Sequence, residues 1–76
     1  MLFNNESFVS EFEGISVYIQ EHTRGVFRID FADERNPLTI TRIFTVNGPV
    51  WISIPQGRKR EALLIGEIIE DHFKRE

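Results

Sequence analysis

Residues 50–76 read VWISIPQGRKREALLIGEIIEDHFKRE, and the fold turns on how this stretch divides. Val50-Trp51-Ile52-Ser53-Ile54 is an apolar run of strand length, ended by Pro55 and Gly57. A basic triplet follows, Arg58-Lys59-Arg60, and from there apolar residues recur at helical spacing. In the strand, Val50, Ile52 and Ile54 are expected to point inward and Trp51 and Ser53 outward. In the helix, Ala62, Leu64, Ile65, Ile68, Ile69 and Phe73 lie on one side, with Gly66 and His72 in the same arc. That arc spans roughly 200°, against the ~100° stripe of an ordinary surface helix. Two readings account for the excess. Either a second copy packs along it, making Leu64, Ile65, Gly66, Ile68, Ile69 and Phe73 a dimer interface, or the helix is wholly covered inside a thick monomer. A chain of 76 residues supplies little material for such cover, so the dimer is the expectation. Gly66 inside a helix costs about 1 kcal/mol relative to Ala, which close approach of another backbone would explain.

Working back toward the start, Asn47-Gly48 is the strongest hairpin signal in the chain, and Pro49 suits a strand start or an edge. Leu38 to Val46 alternates, with Leu38, Ile40, Phe44 and Val46 on one face and Thr39, Thr41, Ile43 and Thr45 on the other. Arg42 interrupts the apolar face, which marks a curved or edge position or a bulge. Ala32 to Pro37 reads as a loop. Phe27, Ile29 and Phe31 point inward from the preceding strand, and Val26, Arg28 and Asp30 outward. Ahead of a turn at His22-Thr23-Arg24-Gly25, Ile15, Val17 and Ile19 face one way and Ser16, Tyr18 and Gln20 the other. Four sequential strands with short connections predict an antiparallel meander, covered on its apolar face by the C-terminal α-helix, an α+β fold spanning residues 14–76. Residues 1–13 are expected to form an N-terminal arm. Its Phe3, Phe8 and Phe12 would pack on the domain or on a partner, and Phe8 to Phe12 suits one helical turn or a strand equally.

The chain contains no cysteine, which excludes disulfides and thiolate metal sites, and its histidines, His22 and His72, lack ligand-like spacing. No metal or other cofactor is expected, which leaves oligomerisation to support so small a core. Met1-Leu2-Phe3 runs directly into Asn4-Asn5-Glu6, giving no signal-peptide core, and no apolar run reaches membrane-spanning length. These features predict a soluble intracellular protein of cytoplasm or nucleus, a viral protein in its host cell included.

The net charge is −3, but its distribution matters more. Residues 1–21 hold four acids and no Lys or Arg; residues 22–60 hold seven basic groups against three acids; residues 61–76 hold five acids against two basic groups. A local basic surface on a mildly acidic protein can bind a polyanion.

Three places carry candidate chemistry. Arg58, Lys59 and Arg60 put cations where the helix macrodipole disfavours them, which fits a phosphate held by free N–H groups and guanidinium together. The plain alternative is a solvated loop. The polar face of the sheet gathers Tyr18, Arg28 and Trp51 with Thr39, Thr41 and Thr45, and aromatics there stack bases without sequence preference. The plain alternative for Trp51 is packing on the arm or on a second subunit. Arg24, beside His22 at a hairpin tip, can clasp a phosphate or be an ordinary exposed turn residue. Catalysis finds little support, because the chain has no Gly-rich phosphate loop, no metal-ligand spacing and no Ser or Cys nucleophile with a neighbouring base, so a small enzyme ranks third among the readings. Glu67, Glu70 and Asp71 read as a solvated face.

Val17-Tyr18-Ile19-Gln20-Glu21, the turn ending Arg24-Gly25, and Val26-Phe27-Arg28-Ile29-Asp30-Phe31 resemble the second hairpin of the positive-cofactor-four family. Those are single-stranded-DNA-binding transcriptional coactivators, related to the Whirly and purine-rich-element-binding proteins. Ile52-Ser53-Ile54-Pro55 resembles the family's last strand and helix start, and Pro55-Gln56-Gly57 is similar to the approach to the helix in the purine-rich-element-binding proteins. The resemblance covers residues 15–31 and 50–73. It implies a curved four-stranded sheet, dimerisation through the helix, and single strands running over the sheet on the side away from the helix. The family's basic residue before the turn glycine matches Arg24, while its aromatic neighbour falls on Thr23 or His22. Its basic-then-aromatic pair falls near Ala32 and Arg35 and is not kept, and lysines before the last strand are replaced by Asn47-Gly48-Pro49.

Residue pattern and resemblance together predict a homodimeric, non-catalytic binder of single-stranded DNA that holds single strands or opened duplex ends in transcription, replication or recombination. Its contacts would be Arg24, Arg28, Tyr18, Trp51, Arg58, Lys59 and Arg60. The alternative is an interaction module that regulates a polymerase or replication complex through protein contacts alone. No membrane association is expected.

Overall fold

The computed structural model describes residues 6–74, which form five strands and one helix. Strands β1 (Ser7–Phe12), β2 (Ile15–Thr23), β3 (Val26–Phe31), β4 (Leu38–Thr45) and β5 (Gly48–Ser53) lie side by side in chain order, every neighbouring pair antiparallel. Helix α1 (Lys59–Lys74) crosses one face. The class is α+β, as the periodicity predicts, but the sheet has five strands where four were expected.

The additional strand is β1, so residues 7–12 belong to the sheet and the 13/14 boundary is a hairpin turn rather than the edge of a domain. Glu13 (φ 54°) and Gly14 (φ 82°) both take left-handed backbone between the paired Phe12 and Ile15, the conformation a two-residue hairpin turn requires. Phe12 is buried, and Phe8 lies half-buried against the core with its ring stacked on His72 at 3.7 Å. Phe3 lies outside the described residues.

Register sets which face each residue takes. Phe8 opposes Ile19, Ile19 opposes Ile29, and Ile29 opposes Leu38; Ile40 opposes Ser53 and Arg42 opposes Trp51. The covered face therefore carries Val17, Ile19, Phe27, Ile29, Phe31, Leu38, Ile40 and Trp51 against Ala62, Ile65 and Ile69 of α1. The expected orientation of β5 is overturned. Trp51 and Ser53 point into the core, 7% and 3% exposed, while Val50 and Ile52 are half-buried on the other face and Ile54, beyond the strand end, is 47% exposed.

The helix is also used differently from the expectation. Ile65, Gly66 and Ile69 are buried under the chain's own sheet and are not free to meet a second copy. Leu64 and Ile68 are half-buried against the core, and Phe73 packs near Phe8 and Phe27. The wide arc finds cover because β1 widens the sheet, and Gly66 admits the indole of Trp51 rather than a partner backbone.

β3 pairs with β4 only from Val26 to Ile29, reaching Thr41. From Arg42 onward β4 pairs with β5 alone, so a two-stranded hairpin extends past the body with Phe44 76% and Val46 fully exposed. Arg42 marks that departure. The β4–β5 register runs without a bulge, and the sheet's irregularity falls instead in β2, between Glu21 and Thr23.

Candidate nucleic-acid interface

The structure distributes the seven expected contact residues over four places. Tyr18 and Arg28 share the sheet face turned away from α1. There Gln20 opposes Arg28 and Arg28 opposes Thr39, and Tyr18 lies in the next row between Val9 and Asp30. Arg28 donates to Asp30 Oδ1 at 3.2 Å, both side chains open to solvent. No other described element packs on this face.

Arg24 stands at the exposed β2–β3 turn, where Glu21 Oε2 accepts from the Gly25 N–H at 2.9 Å. Thr41 Oγ donates to the Gly25 carbonyl at 2.7 Å, tying the turn to β4.

Arg58, Lys59 and Arg60 sit at the opposite end of the sheet, beside the β1–β2 turn and the β3–β4 loop. Ser53 prepares this helix start: its hydroxyl donates to the Pro55 carbonyl at 2.9 Å and accepts the Arg58 N–H at 3.1 Å. Arg58 is a brace rather than a free cation. Nε donates to Glu61 at 2.6 Å, and one terminal nitrogen donates to the Asn36 and Pro37 carbonyls at 2.9 Å each. Arg35 reaches Glu61 from the loop at 3.0 Å, and both guanidinium groups lie over the ring of Phe31. The hydrogen bond from Arg58, with Arg35 adding to it, holds the Glu61 carboxyl below its ordinary range. Glu61 also suits the dipole of the first turn, offsetting the cations around it. Arg60 pairs with Glu13. Lys59 is exposed and forms no ion pair with a described residue. Of the triplet, Lys59 is thus the side chain most open to a phosphate.

Trp51 occupies the fourth place, inside. Its Nε1 donates to Glu70 Oε2 at 2.9 Å, and the same oxygen accepts from Arg42 at 3.0 Å. The Trp51 bond first, and then Arg42, hold the Glu70 carboxyl below its ordinary range. Glu70 therefore anchors the core's edge and is not simply part of a solvated face. Sequence reading also missed Arg42, whose guanidinium lies 5.6 Å from the Phe44 ring centre and 5.9 Å from that of Trp51. Its interruption of an apolar alternation was the visible signal. Arg35 gave none, because its partner lies 26 residues away.

Among the described residues, no group of His, Cys, Asp or Glu could hold a metal ion, and no helix is long and apolar enough to cross a membrane. Comparison of the chain with known protein families, with curated proteins and with solved structures returns no match.

Proposed function

We propose that the protein is a homodimeric, non-catalytic binder of single-stranded DNA, acting in transcription, replication or recombination, and that the strand crosses the bare face of the sheet. The observation that carries this reading is the row Gln20, Arg28, Thr39 with Tyr18 beside it, on a face that no other described element covers. Tyr18 is 40% exposed, and a base stacked on such a ring gains about 1–3 kcal/mol whatever its identity. The ion pair of Arg28 with Asp30 is an obstacle of no more than about 1 kcal/mol, because exposed pairs are worth that little, so a phosphate can take the guanidinium over. Lys59 adds a cation at the helix-start end of the sheet, whereas Arg24, at the exposed β2–β3 turn, lies toward the α1 side with Phe27 and Trp51. The resemblance to the positive-cofactor-four hairpin supports the same face. The four strands it implies correspond to β2 to β5. Dimerisation would use the flank of α1 carrying Leu64 and Ile68.

Titration of labelled oligo(dT) at increasing salt tests the proposal. Affinity should fall with a log–log slope of about −0.7 per phosphate neutralised. Tyr18→Ala and Arg28→Ala should weaken binding with the fold retained, and Arg28→Ala should flatten the slope. A slope near zero, or variants that bind as the parent does, would remove the reading.

One observation favours a protein partner instead. Ile43, 40% exposed, opposes Val50, and Ile52 and Ile54 continue along β5 on the same bare face. A contiguous apolar surface of this kind suits protein contact. Partner binding lost in Ile54→Lys, with no oligonucleotide shift in the parent, would select that reading.

A further inference from the structure

On the other side of the molecule, a pocket of about 610 Å³ lies between the β4–β5 hairpin, the β2–β3 turn and the last turns of α1. Its volume is that of a small-ligand site, for which roughly 300–1,000 Å³ is usual. Aromatic rings form its walls: Phe27 and Trp51 at the base, Phe44 and Phe73 higher up, the last two 76% and 36% exposed. Arg24, Arg42 and Lys74 line it as well. Arg42 is committed to Glu70, whereas Arg24 and Lys74 form no ion pair with any described residue. The unspent charge at the pocket is therefore positive. Glu21 and Glu70 each place one carboxylate oxygen on a fixed donor, Gly25 N–H and Trp51 Nε1, and retain a second oxygen able to accept.

We propose that this pocket binds a nucleotide bearing a terminal phosphate: the base lies against Phe44 and Phe73, and the phosphate between Arg24 and Lys74. Charge complementarity selects the anion, since Arg24 and Lys74, neither in an ion pair with a described residue, line an aromatic slot. The walls select the ring, because exposed aromatic faces stack planar bases. The carboxylates select a base over a simple aryl group, because a base carries N–H donors on its edge. The phosphate can belong to a free nucleotide or to the phosphorylated end of a strand, and the chemistry at the pocket is the same. The inference rests on the pocket alone. The sheet-face reading stands or falls separately on Tyr18 and Arg28.

The only tryptophan of the chain lies in the pocket wall, so its emission reports occupancy. Titration of the full chain with dGMP should change Trp51 emission saturably, and guanosine or inorganic phosphate alone should bind at least about tenfold more weakly. Arg24→Ala and Lys74→Ala, both at exposed positions, should each weaken dGMP about tenfold with circular dichroism unchanged, while Tyr18→Ala and Arg28→Ala should leave dGMP binding as it was. Displacement of dGMP by a 5′-phosphorylated oligonucleotide, and not by its hydroxyl-ended form, would assign the pocket to strand ends; displacement by neither would assign it to the free nucleotide. Unchanged emission with dGMP, guanosine binding as tightly as dGMP, equal binding by the Arg24 and Lys74 variants, or tighter binding of O-phosphotyrosine would each overturn the proposal.

Discussion

Gly66 of α1 lies directly on the indole of Trp51: a Cβ at position 66 would come within 2.5 Å of Cδ2 and overlap the ring. This contact fixes the spacing between helix and sheet and decides the sign of a substitution. In an exposed helix, Gly→Ala gains about 1 kcal/mol. At position 66 the overlap is with the rigid ring of a buried side chain, and overpacking of that kind costs typically ~1–3 kcal/mol. Gly66→Ala should therefore destabilise the protein, read as a lower urea midpoint. In a Trp51→Leu background the same change should cost less, and equal costs in the two backgrounds would deny the contact.

The basic triplet separates into residues with different tasks, and single substitutions should reveal it. Arg58→Ala removes the hydrogen bonds to Glu61, Asn36 and Pro37 and leaves Glu61 with Arg35 alone. Its effect should be on stability, about 1–3 kcal/mol, since hydrogen bonds to charged groups are worth about that much. Lys59→Ala touches no described partner and should leave the urea midpoint in place. Any loss of oligonucleotide affinity in Lys59→Ala then reports a contact, whereas a triple alanine variant would confound contact with unfolding.

Acid should weaken the fold through Glu61 and Glu70. Both carboxyls are held below their ordinary value of 4.5, so the unfolded chain binds more protons than the folded one in that range. Their stabilisation is present above pH 4.5 and is lost as pH falls through the lowered folded values. Glu61→Gln should lower stability at about pH 7 and flatten its dependence on pH between about 5 and 3. Parent and variant with identical pH profiles there would mean that the Arg58–Glu61–Arg35 cluster contributes nothing.

Much of this architecture is legible in the residue pattern. The alternation of Ile15 to Gln20, of Val26 to Phe31 and of Leu38 to Thr41 places every residue on its observed face. β1 had the same signal, with Phe8, Ser10 and Phe12 against Val9 and Glu11, followed by the turn pair Glu13-Gly14; the short, polar-rich run concealed it. The error at β5 has a geometric lesson. A two-residue loop pairs residues of opposite parity on the same face, so even-numbered inward residues in β4 require odd-numbered inward residues in β5. Hydrophobicity alone favours Val50, Ile52 and Ile54, but the turn forces Trp51 and Ser53 inward. What the pattern could not supply is the side-chain network. The carbonyl partners of Arg58 lie 21 and 22 residues back along the chain, and only the folded path brings them together.

With Ile65, Gly66 and Ile69 consumed by the sheet, the dimer through α1 becomes a narrower proposal with a sharp test. Apart from the 36%-exposed Phe73 in its last turn, the helix can offer a second copy Leu64 and Ile68 on one flank and the 38%-exposed Leu63 on the other. Leu64 and Ile68 are four residues apart and so stand one above the other, the spacing of a continuous seam. The parent should sediment at twice 8.9 kDa, and Ile68→Gln should give a monomer that keeps its circular dichroism. Leu63→Gln, on the opposite flank, should remain dimeric. A monomeric parent would end the dimer and leave the sheet face to act as a single module. A dimer untouched by Ile68→Gln and dissolved by Ile54→Lys would move the interface to the bare face of the sheet, where a strand and a second copy would compete for the same surface.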